Sequence, residues 1–384
     1  MWFQNCSIVT CMRAKLPVRP LTSHFLVLLA IFFGSICAYG QEEKTKQGIE
    51  RADAYLTSEA ATNSFRGSVL IGVDGKIEFE KGYGFADEEW SVRNTPTTKF
   101  RIASMTKQFT AACILLLQER GRLSVHDSIS KYLSDLPGAW QPITIHQLLT
   151  HTSGLPNYTS SPKMKELNRT GATPKEMIDL VVNQPLEFKP GSKFAYTNTG
   201  YILLGMIIEK VSGQSYDAFL ATNIFGPLGM VSSGYDKASD ILNNRASGYE
   251  TKDSHLVNAD FIDMSIPFAA GGIYSTVEDM YRWNEALANG KLLSVESLGQ
   301  MFEEYPETAA FASHYGYGVV ITKRFNRTLY YHGGGVTGFS SVIQRYPKEH
   351  VCIIVLSNLG PVKTWDLGDH IASDLFDQPI SPAK

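Results

Sequence analysis

The chain has 384 residues, 43 % of them hydrophobic and 19 % charged, with a formal net charge of −3 at pH 7. That apolar share supports a large packed core, and with no run of like charges a disordered chain and an electrostatic nucleic-acid binder are both poor readings. No internal repeat or low-complexity linker divides the chain, so a single unit with subdomains is expected.

Residues 1–40 carry Arg13, Lys15 and Arg19 and no acid, and the apolar run from Phe25 to Ala38 is short for a bilayer span. The pattern predicts a signal peptide cleaved before Gln41, after Ala38-Tyr39-Gly40. The protein is then exported, periplasmic or secreted, with no stable membrane span after cleavage. An uncleaved anchor is the competing reading. A lipid-modified Cys37 is disfavoured by Ile36, which stands where a small residue belongs, and translation is expected to start at Met12. Removing 1–40 takes three positive charges, so −3 becomes −6, and leaves two of the five cysteines, Cys113 and Cys352. Both lie in apolar runs, where cysteine behaves as a small hydrophobe; a single bridge between them stays open. There is no HExxH and no CxxC, and no feature implies a metal or an organic cofactor.

In the mature chain, Ile49, Ala52, Tyr55 and Leu56 have helical spacing, predicting a helix over 45–61. SVLIGVDGKIEFEKGYG then reads as a hairpin around Asp74-Gly75, the pair a type I′ turn needs. Helices are predicted at 105–120, 174–183, 200–212 (closed by Gly213) and 276–288. Strands follow at 316–322, 328–332, 340–346 and 351–358, and a last helix at 364–376. The expected class is α+β: an antiparallel sheet flanked by terminal helices, with an inserted, mainly helical subdomain. The sheet subdomain covers about 41–100 and 270–384 and the helical one about 101–269, both within one domain over 41–384.

Ser104-Met105-Thr106-Lys107 opens a strongly apolar helix. Serine and lysine three apart share a helix face, so an amine reaches the hydroxyl, and a desolvated lysine is neutral enough to take its proton. SxxK alone is weak, since it recurs at Ser128/Lys131, Ser160/Lys163 and Ser381/Lys384. Only the first precedes a long apolar helix. Tyr196-Thr197-Asn198, between the loop at Pro190-Gly191 and the apolar run GYILLGMIIEK, is the one YxN in the chain. It reads either as a turn with Asn198 capping a helix or as a proton relay and a carbonyl clamp near a nucleophile. His332-Gly333-Gly334-Gly335 runs a strand into glycines that permit close approach of a substrate. A second HxG, at His314-Tyr315-Gly316, lacks those glycines.

The order SxxK, YxN, HxG, with RIASMTKQFT, LLTHTSGLP, PGSKFAYTNTGY, AAGGIYST and HGGGVTGFSS, resembles the serine β-lactamase and penicillin-recognising peptidase superfamily, in its class C-type branch. The resemblance covers about 50–360. It implies a β-lactamase/DD-peptidase-like fold in which Ser104 forms an acyl-enzyme and Lys107 assists its deprotonation. Tyr196 relays a proton to the leaving group, and Asn198 holds a substrate amide. His332, Gly334 and Gly335 line the substrate strand, with the N–H groups of Ser104 and Gly335 as the oxyanion hole. Either Lys107 or Tyr196 serves as principal base. His151, in LLTHTSGLP, is expected to organise its loop, and AAGGIYST to shape a helix entrance beside the pocket.

Where class C β-lactamases place a lysine, this chain has His332, a weaker cation for a substrate carboxylate. That favours a serine hydrolase acting on D-amino-acid peptides, DD-peptidase- or D-aminopeptidase-like. The alternatives are a class C-like β-lactamase, a promiscuous carboxylesterase and, more remotely, a non-hydrolytic penicillin-binding sensor. The expected partner is a small-molecule or peptide substrate, whether D-amino-acid peptide, β-lactam or ester.

Overall fold

Strands from opposite ends of the chain meet in one sheet. The structure, a computed structural model, describes residues 22–310 and 312–380. Residues 1–21 of the expected leader, and the pair Ser381/Lys384, lie outside them. Gly48–Lys384 forms one compact unit. Among the described residues no helix is long and apolar enough to cross a membrane.

The principal helices are α1 (Thr22–Ala61), α2 (Thr106–Glu119), α3 (Asn198–Ser212), α4 (Val277–Ala288) and α5 (Thr364–Phe376). The predicted hairpin is β1 (Gly67–Val73) and β2 (Lys76–Tyr83). Asp74 and Gly75 both take positive φ, 50° and 77°, the mirror-image turn whose twist matches that of paired strands. With β3 (His314–Tyr315), β4 (Val320–Arg324), β5 (Arg327–Val336), β6 (Phe339–Tyr346) and β7 (Val351–Ser357) they build an antiparallel seven-stranded sheet, in the order β3-β4-β5-β6-β7-β1-β2. This is the α+β architecture expected.

Alternate residues of β1 and β7 serve two cores, which is why both strands are apolar almost throughout. Val69, Ile71, Ile353 and Val355 pack with Ala52 and Leu56 of α1 and with Leu367 and Ile371 of α5. Leu70, Cys352, Ile354 and Leu356 turn the other way, into a core shared with α2, α3 and α4. Twelve of the fourteen α2 residues are buried, so this helix runs through the interior and reaches solvent only at its C-terminal end.

Three details differ from expectation. The strand expected over 316–322 is broken, because Gly318 (φ +73°) closes on the first turn of α2: a Cβ there would stand 2.6 Å from the Lys107 carbonyl oxygen. The helix expected over 174–183 ends early, as Pro174–Asp179, behind a Thr173/Glu176 capping box. A hairpin, Tyr249–Lys252 with His255–Asn258, interrupts the mainly helical stretch. Cys113 and Cys352 are free and buried, so the bridge left open does not form.

One feature of the sheet positions the site. Pairing of β5 with β4 ends at Tyr331 opposite Val320, while pairing with β6 continues to Val336. Residues 332–336 therefore have a neighbour on one side and an open edge on the other.

Candidate active site

The chain enters α2 through a tight turn. Ala103 has φ +46°, a left-handed conformation that costs a residue with a Cβ about 1 kcal/mol or more. Neighbouring hydrogen bonds hold it: Ile102 N–H donates to the Ile273 carbonyl (3.0 Å), Ser341 Oγ to the Ile102 carbonyl (2.8 Å), and Ile273 N–H to Thr106 Oγ1 (3.1 Å). Ser104 is thereby presented half-buried, on a short 3-10 turn between buried Ala103 and Met105.

Lys107, one helical turn on, is fully buried. Its Nζ lies 3.1 Å from Ser104 Oγ, 2.8 Å from Asn198 Oδ1 and 2.8 Å from the Ala270 carbonyl oxygen. The rings of Tyr196 and Tyr201 sit 4.9 and 5.3 Å away, and burial pushes the amine well below the ordinary lysine value. A neutral amine has two N–H bonds and one lone pair. Asn198 Oδ1 and the Ala270 carbonyl take the two N–H bonds, so the lone pair is left for the Ser104 hydroxyl proton.

The YxN segment forms the entrance to α3, and its helix cap is Thr197, not Asn198: Thr197 Oγ1 accepts from Thr199 N–H at 3.3 Å. That frees the Asn198 side chain for Lys107. Tyr196 is 39 % exposed along the cleft. Surrounding protein pushes its phenol up, a push that solvent on the cleft side relieves, and the adjacent Ser104 hydroxyl opposes it.

His151, in the left-handed conformation (φ +58°), does what the sequence reading assigned it. Its Nδ1 accepts from Thr197 N–H (3.2 Å) and its carbonyl from Ala195 N–H (2.9 Å), so it ties down the loop carrying Tyr196. The ring lies 4.2 Å from that of Tyr196 and 4.7 Å from that of Tyr315, and burial keeps it neutral.

His332 is buried on β5. Its Nδ1–H donates to the Gly333 carbonyl at 2.6 Å, and its Nε2 accepts from the Tyr315 hydroxyl at 2.9 Å. A carbonyl cannot donate, so Nδ1 carries a proton, and in the neutral imidazole Nε2 is then the acceptor for the Tyr315 hydroxyl. Burial, assisted by Lys107, pushes the imidazole down to about 3. The weak cation expected at His332 is therefore no cation at all at neutral pH.

Gly334 packs on the backbone of the nucleophile turn: a Cβ there would stand 2.3 Å from the Ile102 carbonyl oxygen and 2.9 Å from Ser104 N. Gly335 has open space where its Cβ would be. Ser104 and Gly335 border both arms of the cleft. One arm, about 370 Å³, is walled by Phe194, Tyr196, Tyr315, Tyr331 and His332; the other, about 260 Å³, by Tyr158, Met164, Asn198 and Ile266 among others.

The structure thus brings Ser104, Lys107, Tyr196, Asn198, His332, Gly334 and Gly335 to one cleft. Sequence reasoning missed two participants. The Ala270 carbonyl lies in AAGGIYST, which the sequence marks only as a packing segment. Tyr315 is the middle residue of the HxG set aside in favour of His332, and His314 beside it also lines the aromatic arm.

A half-exposed serine, a buried amine in contact with its hydroxyl and a tyrosine at the cleft wall define a serine hydrolase. The chain belongs to the family described as Beta-lactamase, which matches residues 53–372. It is 33 % identical over 293 residues to the putative penicillin-binding protein PbpX of Bacillus subtilis, covering 76 % of this chain and 70 % of that one. The chain spans 70 % of the length of that relative and 63 % of protein flp of Staphylococcus aureus (strain N315), to which it is 30 % identical over 321 residues. A penicillin-binding protein from Bacillus halodurans superposes with a TM-score of 0.76 at 29 % identity, over 83 % of this chain and 98 % of the other. A D-amino acid amidase from Ochrobactrum anthropi, complexed with L-phenylalanine amide, gives 0.75 at 25 % identity, over 85 % and 98 %.

Proposed function

We propose that this serine hydrolase is exported and cleaves amide or ester bonds of D-amino-acid peptides through an acyl-enzyme on Ser104. The observation that carries the chemistry is Lys107: buried, 3.1 Å from Ser104 Oγ, with two carbonyl-type oxygens taking its N–H bonds. The substrate class draws on the likeness to a D-amino acid amidase and to penicillin-binding proteins, and export on the leader-like residues 1–40.

In the first step the Ser104 proton passes to Lys107 Nζ as Oγ bonds to the substrate carbonyl carbon. The oxygen that becomes negative is received by the N–H groups of Ser104 and Gly335. Asn198 holds the substrate amide on the acyl side. Tyr196, kept protonated by its surroundings, gives its proton to the leaving group as the bond to carbon breaks. The resulting Tyr196 phenolate takes a proton directly from Lys107, protonated in the attack, whose Nζ lies over the tyrosine ring, so both residues end the step as they began it. Water then attacks the ester by the reverse route. The opposite directions of the two shifts, lysine down and tyrosine up, support Lys107 as the base and Tyr196 as the acid.

A base works unprotonated, and burial extends that form to lower pH. Labelling of Ser104 by a fluorophosphonate is expected to speed up as pH rises through the lowered lysine value and to level off before the ordinary 10.5; a rate that climbs only around 10.5 contradicts this.

The substrate class is tested by turnover of an N-acyl-D-alanyl amide, its L-enantiomer, a p-nitrophenyl ester and a chromogenic cephalosporin. The D-amide is expected to exceed the L-amide in kcat/KM by about tenfold or more, the scale of one well-placed contact. Preference for the cephalosporin would point to a β-lactamase, and turnover of the ester alone to a carboxylesterase.

A further inference from the structure

The leaving group must lie where Tyr196 can protonate it, in the aromatic arm of the cleft. Both imidazole nitrogens of His332 are already engaged. Nδ1–H is held by the Gly333 carbonyl at 2.6 Å and Nε2 by the Tyr315 hydroxyl at 2.9 Å. Tyr315 is itself buried and fixed in place, its N–H donating to Thr308 Oγ1 at 2.9 Å and its ring standing across those of His151 and His332. Its hydroxyl cannot swing away without leaving a buried polar atom unpaired. Among the described residues lining either arm there is no lysine, arginine, aspartate or glutamate. The other imidazole, His314, turns Nδ1 to the Tyr305 carbonyl at 3.2 Å.

We infer that Tyr315 is a specificity-determining residue: by occupying His332 Nε2 with its hydroxyl it denies that nitrogen to a substrate anion and makes the leaving-group arm select uncharged groups, such as a carboxamide, an ester or the interior of a longer peptide, over a free carboxylate. The inference rests on the Ser104 acyl-enzyme proposed above and narrows its substrate. A carboxylate entering this arm would give up water for aromatic faces and a lone pair already in use, with no positive partner. An amide meets the same walls without that loss.

The test uses two esters of one N-acyl-D-alanine, with glycolic acid and with glycolamide, which differ only in the charge of the leaving group. Both give the same acyl-enzyme, so kcat/KM reads the leaving-group arm. The values are taken at pH 8 and each is divided by the uncatalysed hydrolysis rate. The glycolamide ester is expected to be preferred by about tenfold or more, the factor that 1.4 kcal/mol corresponds to. His332→Lys is expected to reverse that preference, and Tyr315→Phe to narrow it by freeing Nε2 to meet the substrate. A wild-type ratio near one, or in favour of the glycolate ester, overturns the inference. So does failure of both esters on protein whose Ser104 still reacts with a fluorophosphonate. Absence of that fluorophosphonate adduct instead overturns the Ser104 reading itself, so the two failures are told apart.

Discussion

Lys107→Met is expected to slow acylation of Ser104 by about 10³-fold, close to 4 kcal/mol of barrier, while the protein stays folded. Lys107 has no solvent exposure, and the two tyrosine rings beside it offer an apolar thioether a compatible site. Its replacement removes the lone pair that receives the serine proton and no other group within reach can supply one: burial pushes the Tyr196 phenol up, so at neutral pH it holds its proton. The structural penalty is modest by comparison. Asn198 Oδ1 and the Ala270 carbonyl oxygen each lose a donor at 2.8 Å, worth about 1–3 kcal/mol where water cannot replace it; Asn198 borders the cleft, where it can, so the cost falls mainly on the buried Ala270 carbonyl. Stopped-flow labelling and urea denaturation separate the two effects. A variant that keeps acylation within tenfold of wild type would transfer the role of base to Tyr196.

Gly334→Ala is expected to cost about 10²-fold in acylation, through displacement of the nucleophile instead of loss of a chemical group. The added methyl meets backbone: the Ile102 carbonyl oxygen at 2.3 Å and Ser104 N at 2.9 Å, with Ser341 Oγ at 2.6 Å. None of these is the free end of a flexible side chain. Ser341 donates to that same Ile102 carbonyl, and Ala103 already occupies a left-handed conformation, so the turn has little freedom to retreat. The neighbouring Gly335→Ala supplies the control. Nothing lies within 4 Å of its Cβ position, and thermal stability is expected to stay within a few degrees of wild type. Equal acylation rates in Gly334→Ala and wild type would show that the β5 edge does not set the position of Ser104.

The contrast between these two glycines marks where the sequence stops being informative. Ser104, Lys107, Tyr196, Asn198 and His332 are legible because each stands at a change of local pattern: the start of an apolar helix, a Pro-Gly loop meeting another, a strand running into glycines. Three adjacent glycines share one letter, and only the fold shows that the middle one touches the nucleophile turn. The sheet is legible for a similar reason. The hydrophobic runs of β1 and β7 and the Asp74-Gly75 turn are local signals, whereas the break at Gly318 depends on contact with Lys107, more than two hundred residues away in sequence. A carbonyl such as that of Ala270 has no signature in sequence. Tyr315 is one tyrosine among eighteen, and its importance lies in the imidazole it meets across the sheet edge.

Histidine at 332 shows how far type alone can mislead. An imidazole in water is a weak cation near pH 6.5, which is what the sequence suggests. Burial on β5, assisted by Lys107 and opposed by the Gly333 carbonyl, pushes it down to about 3, and the site changes from weakly cationic to uncharged.

The central claim is that Ser104 is the nucleophile, and intact-mass spectrometry tests it most directly. The protein is incubated with a fluorophosphonate and, separately, with a penicillin, alongside Ser104→Ala of verified fold. A single adduct with each reagent on wild type, absent from the variant, is the expected result. An adduct that persists in Ser104→Ala, or folded wild-type protein that reacts with neither reagent, would contradict it.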